Sequence, residues 1–368
     1  MASLADLPIR SDLRGLSPYG APQRSVRYAL NVNENTHPIP EAVASSVVTA
    51  LAEAVLHANR YPDREFTALR ESLAGYLGHG VTAENVWAAN GSNEILQQLL
   101  QAFGGPGRSV LGFPPTYSMY PILARGTGTQ WIAGERDEGY GLSPQTAVRA
   151  IEQHRPDLVF FCSPNNPTGT PLPIETIMAA YDATDGMVVV DEAYAEFAPS
   201  GAPTALSLLD GRERLVVSRT MSKAFAFAGV RLGYLAADAA VTDALRLVRL
   251  PYHLSALTQA AATAALAHAG ELLANVEDIK RQRDRLLAEL PELGFPVLPS
   301  WTNFVLFGGV DDPQAAFEAL LEHDILIRDV GIPHHLRVTA GTQAETTAFL
   351  AAMAGLAPGI SAAHRLGS

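Results

Sequence analysis

The chain has 368 residues, enough for a large core and about two domains. With 48% hydrophobic and 17% charged residues it has the composition of a compact globular protein rather than a disordered one. A formal charge of -12 excludes a nucleic-acid binder or a protein drawn to acidic lipid, so an anionic ligand must meet a local cluster of positive groups.

Residues 1–38 read as an irregular arm, with turn formers at SPYGAP and an end in NVNENTHPIP. The opening MASLADLPIRSDLRGL carries acids and lacks a long apolar run, so it does not read as a signal peptide. Amphipathic helices are expected in EAVASSVVTALAEAVLHAN and REFTALRESLAGYLG. Short apolar runs follow: NVWAAN, RSVLGF, TQWIA, DLVFFCSP, MVVVDE, RLVVSRT and RLGYLAA, with helical patterns such as SNEILQQLLQAFG and SPQTAVRAIEQH between them. This alternation predicts an α/β domain over 39–250, with a mostly parallel sheet buried on both faces. After Pro251 comes SALTQAAATAALAHAGELLANVEDIKRQRDRLLAEL, read as one long helical stretch opened by Ser255 and stopped near Pro291. FPVLPSWTNFVLF, DPQAAFEALLEHD, ILIRDV and HHLRVTA complete a smaller α+β domain, 251–368, whose tail MAGLAPGISAAHRLGS is rich in small and turn-forming residues. No stretch of about 18 uncharged apolar residues suggests a membrane span. A single cysteine, Cys162, excludes an intrachain disulfide and fits a reducing cytoplasm.

In open α/β sheets ligands bind beyond the carboxyl ends of the strands. There the sequence places Gly91, Ser92 and Asn93, then Asn166 in NNPTG, then Asp191 and Tyr194, then Thr220, Ser222 and Lys223. Each set alone has an ordinary explanation: a turn with a helix cap, an Asn-Pro turn, a solvated aspartate, a snorkelling lysine. Together they suit one chemistry. A lysine amine makes a Schiff base with an aldehyde cofactor, and a pyridoxal ring needs a carboxylate such as Asp191 for its pyridinium nitrogen. The cofactor phosphate needs backbone N–H groups at a helix start and a cation, which Gly91, Ser92, Asn93, Ser222 and Arg231 supply.

NPTG, DEAY and SKAFAFAGVR, in this order, resemble the fold type I pyridoxal-phosphate aminotransferases over nearly the whole chain. LRGLSPYGAP, NVNENTHP, NRYPDRE, NGSNEIL, TYSMY, CSPNNPTG and LRVTAGT resemble, more narrowly, the histidinol-phosphate aminotransferase family of the actinobacterial type. The resemblance implies that Lys223 carries the cofactor and that Asp191 pairs with the ring nitrogen. It also implies that Asn166 and Tyr194 hold the phenolic oxygen and that Tyr117 stacks on the ring. The phosphate is expected on Ser92, Asn93, Thr220, Ser222 and Arg231, with Tyr61 reaching it from a second subunit, which requires a homodimer. Substrate contacts are expected from Tyr19, Asn33, Tyr61, Tyr120, Tyr252, Arg328 and Arg337. Two arginine forks suit both a phosphate dianion and the carboxylates of glutamate.

The implied reaction is amino transfer between L-glutamate and imidazole-acetol phosphate, giving L-histidinol phosphate and 2-oxoglutarate in histidine biosynthesis. One pocket serves both substrates, so the kinetics are expected to be ping-pong. An aromatic amino-acid aminotransferase and a threonine-phosphate decarboxylase remain alternatives, and so does a silent cofactor-binding or regulatory protein. His253, His323, His334 and His335 lack a recognisable ligand spacing, so no metal is expected.

Overall fold

A computed structural model describes residues 3–360. The arm contributes β1 (Tyr28–Ala29), and the helices α1 (Glu41–Leu56) and α2 (Thr67–Leu77) follow. The apolar runs then form strands joined by helices: β2 (Val86–Ala89), α3 (Ser92–Phe103), β3 (Ser109–Gly112), α4 (Met119–Thr127), β4 (Gln130–Ala133) and α5 (Pro144–His154). The same pattern continues through β5 (Leu158–Cys162), α6 (Ile174–Ala183), β6 (Met187–Asp191), β7 (Leu215–Thr220), β8 (Gly233–Ala237) and α7 (Ala239–Val248).

β2 to β8 form a seven-stranded sheet in the order β2-β8-β7-β6-β5-β3-β4. β3, β4, β5, β6 and β7 run parallel, and β8 is antiparallel to both of its neighbours. Burial explains the continuous apolar runs: every residue of β2, β5, β6 and β8 is buried, as expected for strands covered on both faces. β2 runs the same way as β7, with β8 reversed between them, so the carboxyl ends of β2, β5, β6 and β7 share one edge. β8 begins there at Gly233, where a Cβ would stand 2.2 Å from the Ser92 backbone nitrogen. Only glycine lets the start of β8 pass so close to the start of α3.

The alanine-rich stretch is three helices rather than one: α8 (Ala256–Leu266), α9 (Ala269–Leu273) and α10 (Val276–Glu292). Ser255 caps α8 as expected, its side chain accepting from the Thr258 N–H. The breaks fall at Ala267 and His268 and at Ala274 and Asn275, and Pro291 lies inside the last turn of α10 rather than beyond it. α8 packs on α1 and α2, whereas α10 packs on β9 (Phe304–Phe307) and on the last helix. α11 (Pro313–Glu322), β10 (Ile325–Leu326), β11 (Leu336–Thr339) and α12 (Gln343–Ile360) complete the described chain. FPVLP adds only an isolated bridge at Val297 to the antiparallel pair β9 and β11. β1 pairs with β10, so the arm is tied to this unit before the chain enters α1. The tail beyond Ile360 lies outside the described residues.

Candidate active site

Strand ends, arm and C-terminal unit enclose a cavity of about 340 Å³. Tyr19, Asn33, Ser92, Asn93, Tyr117, Asn166, Asp191, Tyr194, Thr220, Ser222, Lys223, Arg231, Arg328 and Arg337 all line it. Gly91 sits just behind, as the N-cap of α3 with a φ of 89°.

Asp191 ends β6 and is buried. Its two oxygens accept from the Tyr120 hydroxyl at 3.0 Å and the Ser218 hydroxyl at 3.2 Å. Burial pushes this carboxyl up to about 6, against the pull of those two hydrogen bonds. A protonated ring nitrogen reaching Asp191 would supply the cation that burial denies it.

Lys223 follows β7, and its Nζ donates to the Val32 carbonyl of the arm at 3.0 Å. Burial, then the positive charges of Arg337 and Arg231, lower its ammonium to about 8. An appreciable share of this amine is therefore neutral near pH 7, as attack on an aldehyde requires.

At one end of the cavity α3 opens with its free N–H groups. The Arg231 guanidinium lies over this turn, so close that a Cβ at Gly91 would stand 2.6 Å from its Nη2. Arg231 is itself left-handed, with a φ of 63°, and Nη1 donates to the Ala228 carbonyl at 3.1 Å. Thr220 donates to Ser222 at 3.0 Å beside it. A helix start, two hydroxyls and an arginine make an anion site of the kind a phosphate ester needs.

On the cavity wall, the Tyr194 hydroxyl accepts from Asn33 Nδ2 at 2.9 Å and Asn166 Nδ2 at 3.3 Å, leaving its own proton to donate. Arg337 Nη1 donates to Asn166 Oδ1 at 2.6 Å and Nη2 to the Asn31 carbonyl at 2.8 Å. Its Nε is buried without a hydrogen-bond partner. Burial lowers this guanidinium to about 10. Arg328 and Arg337 face each other across two backbone hydrogen bonds of 3.0 and 2.9 Å, and the Arg328 guanidinium lies 5.9 Å from the Tyr19 ring centroid. Among the described residues, no carboxylate forms a salt bridge with either arginine.

Tyr120 and Tyr252 do not line this chain's cavity as expected, and Tyr61, expected from a second subunit, lies outside it. Tyr120 does not line the cavity: it is fully buried behind Asp191, because α4 turns its ring under Tyr117 and onto Phe160. Tyr252 is turned to the surface, where it stacks on Tyr61 at 4.4 Å between centroids, and neither borders this chain's own cavity. Sequence reasoning missed Ser218, although strand alternation puts it on the same face of β7 as Thr220. It also missed Asn31, although that residue opens the NVNENTHP motif, and Val32 and Cys162, which nothing in the sequence distinguishes from core. Of the histidines weighed as metal ligands, His253 lies against Trp87, and His334 and His335 contact the carbonyls of Val310 and Pro333.

The sequence model of the family described as aminotransferase class I and II matches residues 28–353. A histidinol-phosphate aminotransferase of Paenarthrobacter aurescens is 60% identical over 362 residues, 98% of this chain and 97% of the relative. That of Thermobifida fusca is 57% identical over 95% of this chain and 96% of its own length. The crystal structure of histidinol-phosphate aminotransferase from Sinorhizobium meliloti, in complex with pyridoxal-5'-phosphate, superposes with a TM-score of 0.85 at 26% identity, covering 95% and 97% of the two chains. The chain belongs to the class I and II aminotransferases and, within them, to the histidinol-phosphate aminotransferase family.

Proposed function

We propose that this chain uses pyridoxal phosphate to transfer an amino group between L-glutamate and imidazole-acetol phosphate, forming L-histidinol phosphate and 2-oxoglutarate. The observation that carries the substrate reading is the pair Arg328 and Arg337, two forks without acidic partners among the described residues, on the same cavity as Lys223. Such a pair suits a phosphate ester in one half of the reaction and a carboxylate in the other.

The residues present fit the cofactor: an amine, a buried carboxylate and a helix-start anion site border one cavity. Lys223 would hold its aldehyde, Asp191 its ring nitrogen, Asn166 and Tyr194 its phenolic oxygen, and Tyr117 its ring face. Ser92, Asn93, Thr220, Ser222 and Arg231 would hold its phosphate. When bound, pyridoxal phosphate supplies an aldehyde carbon for amines and a ring that accepts the electron pair left when a bond at the substrate Cα breaks. Lys223 Nζ, with its affinity for protons lowered by burial, would take the proton from the substrate Cα and pass it to the carbon that had carried the aldehyde, and the second half would run the same transfer in reverse. Asp191 keeps the proton on the ring nitrogen. Arg328 and Arg337 orient the substrate by its anionic end, and Tyr19 covers that end from the arm.

We further propose that the enzyme is a cytoplasmic homodimer. Val48, Val55 and Leu56 on α1, Tyr61 shortly after it, and Leu247 and Leu250 at and just beyond the end of α7 are more than half exposed. A second copy would cover this apolar surface and place its Tyr61 at the neighbouring phosphate site. No helix among the described residues is long and apolar enough to cross a membrane.

Three measurements test this reading. In the cofactor-free protein, the rate of pyridoxal phosphate capture should rise with pH through a midpoint near 8, to which burial lowers the Lys223 ammonium, and then level off. A rise that continues to pH 10 would contradict it. Arg328→Gln should raise KM for histidinol phosphate by about 30-fold, the loss of a charged hydrogen-bonding fork, with kcat little changed. An unchanged KM would remove Arg328 from the substrate site. Mixing the inactive Lys223→Ala protein with the impaired Tyr61→Ala protein should restore activity above both, since a mixed dimer has one complete site. No recovery on mixing, once subunit exchange is verified, would argue against a shared site.

A further inference from the structure

One turn outside the cavity carries a residue, His253, that has no part in the chemistry above. Pro251, Tyr252 and His253 form the turn before α8, and Tyr252 is left-handed there, with a φ of 57°. A non-glycine residue adopts this conformation at a cost of about 1 kcal/mol or more. The turn sends two adjacent rings in opposite directions. Tyr252 stacks on exposed Tyr61, while His253 stacks on buried Trp87 with centroids 5.6 Å apart and planes 10° from parallel.

His253 Nε2 lies 2.9 Å from the Ala88 carbonyl, and because a carbonyl only accepts, Nε2 is the donor. Ala88 belongs to β2, the edge strand, whose outer carbonyls have no neighbouring strand. Arg70 Nε covers the Val86 carbonyl at 2.9 Å, and His253 covers the next one along. Two residues further, Asn90 Nδ2 donates to the His253 carbonyl at 2.8 Å and to Glu94 Oε2 at 2.7 Å. The same Glu94 oxygen accepts from the Asn90 backbone N–H at 2.7 Å. Asn90 directly precedes Gly91, Ser92 and Asn93. His253 Nδ1 is buried without a hydrogen-bond partner, so Nε2 is the ring's single polar anchor among the described residues.

We propose that His253 is a positioning residue for the cofactor phosphate: it clasps β2 and Asn90 so that the Gly91–Asn93 turn is preformed, and it ties that turn to the Tyr252–Tyr61 stack. The proposal rests on the phosphate reading of that turn. Its consequence is that the phosphate site and the exposed apolar face share one rigid connection, two residues long.

The test titrates the full-length cofactor-free protein with pyridoxal phosphate and, separately, with pyridoxal, the same aldehyde without the phosphate. Absorbance of the bound aldehyde reports affinity for each. His253→Phe retains a ring for the stack but removes the donor, and it should weaken pyridoxal phosphate by about tenfold, the size of one buried hydrogen bond, while leaving pyridoxal unchanged. His253→Gln, whose amide N–H reaches the same carbonyl, should restore most of the loss. Should the phenylalanine variant fold poorly, His253→Asn, whose shorter amide falls short of Ala88, should show the same selective loss. Arg231→Gln serves as the control for the phosphate reading. If Arg231→Gln weakens pyridoxal phosphate and the His253 variants do not, the positioning role is wrong and the phosphate reading stands. If Arg231→Gln has no effect either, the phosphate reading itself falls and takes the proposal with it. Equal weakening of both aldehydes in the His253 variants also overturns the proposal, because a general loosening does not select for phosphate.

Discussion

Two ionisable groups of opposite charge, Asp191 and Lys223, border one cavity and yet do not neutralise each other. A buried carboxylate and a buried ammonium attract strongly, and a direct pair would close the site. Each is instead held by neutral groups: Asp191 by the hydroxyls of Tyr120 and Ser218, Lys223 by the carbonyl of Val32. The cost appears as displaced proton affinities, with the carboxyl raised to about 6 and the amine lowered to about 8. Both shifts favour a ligand that brings a protonated nitrogen to one and an aldehyde to the other.

The sheet supports this separation from its far side. Glu192 and Arg219, one residue beyond Asp191 and one before Thr220, point away from the cavity and pair at 2.7 Å. Glu192 also accepts from Thr204 and from the Ala205 N–H, and Arg219 reaches Glu196 at 3.6 Å. The ends of β6 and β7 are thus cross-linked behind the residues that face the ligand. Strand alternation makes both arrangements compatible, since consecutive residues point to opposite faces. Removing Arg219 would leave two acids buried without their counter-charge, a defect far larger than the loss of a surface ion pair.

Much of this was legible because strand ends carry the chemistry. The apolar runs mark β5, β6 and β7 closely; Asp191 and Thr220 end β6 and β7, and Asn166 and Lys223 come within four residues of the ends of β5 and β7. Arg328 and Arg337 were expected through the resemblance of ILIRDV and LRVTAGT, and both line the cavity. The failures are of other kinds. Tyr117 and Tyr120 stand three residues apart, and nothing in TYSMY says that one ring faces the cavity while the other packs behind Asp191 onto Phe160. Tyr252 was expected from the resemblance alone, and nothing in PYHLS signals the left-handed turn that points its ring to Tyr61 rather than to this chain's own cavity. The long alanine-rich stretch kept a helical composition across two breaks, and only packing against different neighbours, α1 for α8 and β9 for α10, separates its parts.

The most direct test of the account is a half-reaction titration of the cofactor-loaded protein. Its absorbance band is followed while histidinol phosphate or phenylalanine is added in separate cuvettes. The two-arginine pocket predicts that histidinol phosphate converts the band to the amine form of the cofactor at far lower concentration. Equal or better conversion by phenylalanine would contradict the phosphate pocket, leave the aminotransferase fold in place, and move the substrate to the aromatic class.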